Sequence, residues 1–164
     1  TKARFPSWVL VLSSLSKAVI TLGVFVVTFL VYLAAIGRAP GAVELAWFLF
    51  YLALYLFIVA GISLGSSVLF LRYRDLNQVW EVVTQAGFFI APIIYPLEII
   101  PERYHIYLYL WPPTPVIQFS RAVLVDGTIP TLKAHLLLVA VAALVFAAGA
   151  AIFRAYSPTA AERL

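Results

Sequence analysis

The residues able to do chemistry are few, and their spacing excludes more than it offers. The chain has no cysteine, so disulfides and thiolate metal sites are out. His105 and His135 stand alone and far apart, which leaves no metal-ligand spacing. Glu98, Glu102 and Asp126 are scattered and form no acid–base pair. No glycine-rich phosphate loop occurs, so ATP is not hydrolysed here by that chemistry. The long apolar runs lack the acidic residues that an ion-coupled carrier usually holds at membrane depth. These absences point away from an enzyme and toward a protein whose work is powered by a partner.

What remains is binding chemistry. The run from Arg72 through Tyr73, Arg74, Asp75 and Leu76 to Trp80 and Glu81 joins two apolar stretches. It reads either as a topology anchor or as a short docking helix, with Asp75 as N-cap and Leu76, Val79 and Trp80 on one face. Farther on come Pro92, Pro96, Pro101, Pro112, Pro113, Pro115 and Pro130, interleaved with Tyr95, Tyr104, Tyr107, Tyr109 and Trp111. Each proline removes a backbone donor, so no straight helix runs through this stretch. It is also too apolar for an aqueous loop, and broken backbone at membrane depth must be buried in protein or line water. A re-entrant lid or pore lining follows. Amphipathic aromatics also suit sugar rings, which offer both C–H faces and hydroxyls. Arg121 sits in an apolar run, as a functional charge or as a side chain snorkelling to head groups. Gln85 faces a helix neighbour or a polar conduit.

The elements that must position these residues are membrane helices. Hydrophobic residues make up 64% of the chain and charged ones 11%, against about 25% charged in soluble domains. The net charge of +4 reflects topology and not nucleic-acid binding. Spans are expected near 18–36, 45–71, 80–96 and 134–154, the third being short and broken by proline at its far end. Residues 1–17 read as an interfacial helix bending into the first span, and residues 97–130 as an external re-entrant region. The expected fold is therefore an all-α single membrane domain over residues 1–164. It has four transmembrane helices, a cytoplasmic coupling helix, and two short re-entrant helices between the last two spans. The Arg72–Arg74 cluster and the basic termini place both ends of the chain in the cytoplasm. Thr1 opens on a basic segment without an initiator methionine, which reads as a missing natural start. Gly61 and Gly65, followed by Ser66 and Ser67, have the small-residue spacing of a helix-packing face and offer weak support for a dimer.

Several ordered motifs resemble the permease subunits of ABC-2-type exporters, most closely the branch exporting O-antigen, capsule and teichoic-acid polysaccharides. They are Arg72-Tyr73-Arg74-Asp75-Leu76, then Phe88-Phe89-Ile90-Ala91-Pro92-Ile93-Ile94-Tyr95-Pro96, then Ile100-Pro101, then Pro113-Thr114-Pro115-Val116-Ile117 and Phe119-Ser120-Arg121. The chain is similar to the last four of that family's six spans. It departs from the family at Trp111-Pro112-Pro113, where Asn-Pro is usual. The resemblance implies a homodimer around a conduit, with each copy paired to a P-loop ATPase that binds ATP and Mg, and no cofactor on this chain. It implies that Arg72, Tyr73, Arg74, Asp75, Leu76, Trp80 and Glu81 lie near the ATPase. Phe88, Phe89, Tyr95, Tyr107, Trp111 and Arg121 are then the expected conduit or gate. A lipid-linked glycan would pass outward across a bacterial or archaeal plasma membrane, among membrane lipids and with no role for nucleic acid. The alternatives are an ABC-2 exporter of a smaller lipid or drug, and a membrane-embedded enzyme of glycan assembly.

Overall fold

The computed structural model describes residues 7–73 and 75–161. Among these residues the chain is all-helical: α1 (Ser7–Ala35), α2 (Ala42–Arg72), α3 (Leu76–Ile90), α4 (His105–Tyr109), α5 (Pro113–Leu124) and α6 (Leu132–Ala161). Short 3-10 turns at Leu97–Ile99 and Glu102–Tyr104 fill part of the gap between α3 and α4. Ser16–Ala35, Ala42–Phe70 and Leu132–Tyr156 are long and apolar enough to cross a membrane. From Ser7 onward the expected interfacial segment runs on into the first of these spans as one helix.

A tight turn joins α1 to α2. Gly37 takes a positive φ of 77° there, a conformation that side chains disfavour. Glu44 then closes the start of α2, its carboxylate accepting the Gly41 N–H at 2.8 Å. This supplies one of the partners that the first turn of a helix lacks.

The scaffold is the pair α2 and α6, which run parallel. Tyr51 meets His135, Phe57 stacks on Phe146 at 4.1 Å, and Gly65 meets Gly149, a near-constant offset along both helices. Glycine allows this closeness. A Cβ on Gly61 would lie 2.5 Å from the Phe146 Cα, and one on Gly149 would collide with the Gly61 carbonyl. Without a hydrophobic drive between helices in lipid, such close backbone packing is what holds spans together. This corrects the reading of Gly61 and Gly65 as a dimer face: both are covered by α6 of the same chain. Gly149 is the partner that the spacing alone did not reveal.

Because α2 and α6 are parallel, the chain between them must return from one end of the pair to the other. α3 starts the return but is only 15 residues long, about 22 Å against a hydrocarbon core of about 30 Å. It stops at Ile90, where Ala91 turns to extended geometry (φ −66°, ψ 130°) and Pro92 offers no donor to continue the ladder. The expected third span at 80–96 is therefore a shorter helix that begins earlier. The expected docking helix is not separate either: it is the first two turns of α3. Asp75 stands at its N-cap position but makes no capping hydrogen bond, because its backbone is already helical (φ −71°, ψ −16°).

The return is completed by α5. Leu124 packs with Leu33 and Phe48, Phe119 lies 5.7 Å from Tyr51, and Val116 joins the buried cluster of Ile58, Val123, Leu138 and Ala142. α5 thus runs antiparallel to α2 beside its first half. Counting back from Phe119 at about 1.5 Å per residue puts the start of α5 near the middle of α2. The Trp111 indole sits against Gly87, where any Cβ would strike it, so the end of α3 and the start of α5 meet. Together the two helices cover about 40 Å, enough for the return that α3 alone cannot make.

Candidate functional site

At one end of the bundle the C-termini of α2 and α6 meet the start of α3. The Arg72 guanidinium lies over the rings of Tyr73 at 5.5 Å and Tyr156 at 5.3 Å, so α6 shares this corner. Trp80 meets Phe70 edge-on at 6.4 Å, tying the first turns of α3 to the end of α2. Tyr73, Asp75 and Glu81 are exposed, and Leu76 is half-buried. The structure therefore gathers Arg72, Tyr73, Asp75, Leu76, Trp80 and Glu81 at one corner, while Arg74 lies outside the described residues. Tyr156 belongs to the same corner and was missed, because it lies far along the chain with no motif around it. The corner brings a cation, two carboxylates and aromatic ring edges together.

Midway along the return lies the second group. Phe88 and Phe89 are exposed at the end of α3, with rings 5.7 Å apart at 82°. The Tyr95 hydroxyl donates to the carbonyls of Ile90 at 2.9 Å and Phe89 at 3.2 Å. These are two of the carbonyls left open at a helix C-terminus, so Tyr95 folds the broken segment back over α3. Trp111 joins this cluster through Gly87. Tyr107 is 64% exposed on α4. Arg121 is exposed in the last turn of α5, about 12 Å beyond its start. The expected conduit residues thus divide into a cluster of Phe88, Phe89, Tyr95 and Trp111, with Tyr107 and Arg121 on separate short helices. Burial pushes the Tyr109 phenol above its ordinary value, keeping it a neutral hydroxyl.

A third site has no signature in the sequence. The Tyr51 hydroxyl, fully buried in α2, is hydrogen-bonded to His135 Nε2 at 2.7 Å. His135 Nδ1 faces the Thr131 carbonyl at 2.9 Å. A carbonyl only accepts, so Nδ1 carries the proton and Nε2 accepts from Tyr51. The imidazole lies 4.6 Å from the ring of Trp47 and 5.9 Å from that of Phe119. This node joins α2, α5 and α6. Two buried polar atoms of α5, Thr114 Oγ1 and Gln118 Nε2, find no hydrogen-bond partner among the described residues. One helical turn separates them, so they lie on one face. No group of acidic, histidine or cysteine residues among the described residues makes a metal site.

Residues 1–125 match the family profile of the ABC-2 type transporter. The chain belongs to that family. No curated protein and no solved structure matches it. ABC-2 type transporter domains are the membrane components of transporters and normally pair with an ATPase subunit, which agrees with a chain lacking phosphate-loop chemistry. The match ends just past α5, so α6, which α2 packs against, lies beyond it.

Proposed function

We propose that this chain is the permease of an exporter that moves a lipid-linked, O-antigen-like polysaccharide across the plasma membrane. A separate P-loop ATPase supplies the energy, and a second copy of the chain completes the conduit. Both ends of the chain lie in the cytoplasm, with the Arg72–Trp80 corner beside the ATPase and the turn between α5 and α6 on the outer side. α3, completed by α5, serves as the fourth crossing, and residues 91–124 form its re-entrant lid. The observation that supports this reading is the broken, aromatic-rich return. A helix that stops after 15 residues, a Tyr95 fold-back and a partly buried α5 make a gate that can be displaced without unwinding a whole span. A push on the start of α3 travels along a short stiff rod to Gly87 and Trp111, and so to α5. Exposed Tyr and Phe rings around that joint suit the passage of sugar faces.

The test is a detergent pull-down of the full-length permease from its native cell, with mass spectrometry of what accompanies it, and an export assay with Tyr107→Ala. A P-loop ATPase at near-equal amount and a loss of surface glycan with the protein still assembled are expected. Recovery of an intact permease without an ATPase, or full glycan export by the variant, overturns the transporter assignment or the aromatic conduit respectively.

A further inference from the structure

We infer that the Tyr51–His135 hydrogen bond is a proton-sensitive latch that holds α5 against α2 and α6 and releases it when His135 gains a proton. It rests on two independent observations. The first is the bond itself. Tyr51 is 0% and His135 7% exposed, and their rings contact Phe119 of α5 at 5.7 and 5.9 Å. The packing of α5 therefore depends on how these two rings are held. The second is that α5 carries an opposing cost. Thr114, 0% exposed, and Gln118 each bury a polar atom that has no partner among the described residues, which is unfavourable for any buried donor or acceptor. Moving α5 outward would return both atoms to a partner or to water. α5 is held by apolar contacts, among them Phe119 against the two rings of that bond, and loosened by its own unpaired groups.

Proton uptake acts on the bond through donor and acceptor roles alone. With Nδ1–H donating to Thr131, the neutral ring has one lone pair, on Nε2, and it takes the Tyr51 proton. An imidazolium has no acceptor. The Tyr51 O–H would then face an N–H and have to turn its own proton into the apolar packing around it. Other charged or titratable groups on the packed elements leave this node to itself. Glu44 on α2 is two turns away and bonded to Gly41, and Tyr55 packs one turn below Tyr51. Arg121 on α5 and Lys133 on α6 are exposed.

This sequence holds no cysteine, so single introduced thiols give a direct test once any cysteine outside it is replaced. Val123→Cys places a thiol at a site only 1% exposed on α5, and Val125→Cys places a control at a site 42% exposed just beyond it. The full-length protein in lipid vesicles is labelled with a thiol reagent between about pH 8 and pH 5, the range in which histidines change charge. The Val123 rate is divided by the Val125 rate to remove the reagent's own pH dependence. We expect this ratio to rise about tenfold on acidification, the scale of one buried group losing its partner. With His135→Gln, whose amide accepts from Tyr51 but takes no proton, the ratio is expected to stay low throughout. With Tyr51→Phe it is expected to be high at every pH. A flat wild-type ratio overturns the latch, and so does a rise of the same size in His135→Gln. Neither outcome depends on an ATPase or a transported substrate, so the latch fails or holds separately from the exporter assignment.

Discussion

Gly61→Ala tests the helix pair on which everything else is mounted. The new methyl would lie 2.5 Å from the Phe146 Cα and 3.0 Å from the Val145 carbonyl oxygen, both backbone atoms that no rotamer change can move aside. α6 must retreat by about 1 Å, an overpacking cost of about 1–3 kcal/mol. Alanine returns about 1 kcal/mol through its better helix propensity, leaving a net loss of up to about 2 kcal/mol. Gly65→Ala is the built-in control. Its methyl would meet the Gly149 Cα at 3.4 Å, ordinary contact, so it is expected to be neutral or to gain about 1 kcal/mol. Gly149→Ala strikes the Gly61 carbonyl and should cost as much as Gly61→Ala. The double variant should cost less than the sum, because one retreat of α6 relieves both clashes. The assay is reversible denaturant unfolding in mixed micelles followed by helical circular dichroism, with oligomeric state measured alongside. Equal effects at Gly61 and Gly65, or strict additivity of Gly61 with Gly149, would refute the parallel close-packed pair. A loss of dimer with unchanged unfolding in Gly61→Ala would restore the face to an intermolecular role.

Other positions give sharper local readings. Gly87→Ala and Trp111→Ala both break the joint between α3 and α5; each is expected to cost about 2 kcal/mol and to raise amide exchange at the start of α5, and unchanged exchange there would show the joint is not needed. Tyr95→Phe removes the hydroxyl that caps Phe89 and Ile90, with an expected loss of about 1 kcal/mol and faster exchange confined to the last turn of α3; faster exchange throughout the helix would contradict a local cap. At the other end, Tyr156→Leu removes the ring over Arg72, a contact worth about 0.5–1 kcal/mol when exposed. Global unfolding should barely change while, on the proposed ATPase contact, transport-coupled ATPase activity falls; wild-type coupling in Tyr156→Leu would remove α6 from that contact.

Composition and hydropathy decided that this chain is a helical membrane domain, because apolar runs this long cannot be left in water and only helices satisfy their backbone inside lipid. The order of its motifs carried the family, and proline density located the broken return. Periodicity also brought Leu76, Val79 and Trp80 onto one helix face. It could not say where that helix would stop. Counting apolar residues to Pro96 overstated α3, since the ladder fails at Ile90 once Pro92 withholds its N–H. Spacing could flag Gly61 and Gly65 as a packing face, but the choice between another copy and α6 depends on which backbone comes close. Gly149 settles that only in three dimensions. The Tyr51–His135 bond and the Arg72–Tyr156 contact each join residues 84 apart in sequence. Neither pair has a local signature. Their partnership comes from the parallel pairing of α2 and α6, whose common offset sets side by side residues that no sequence window contains.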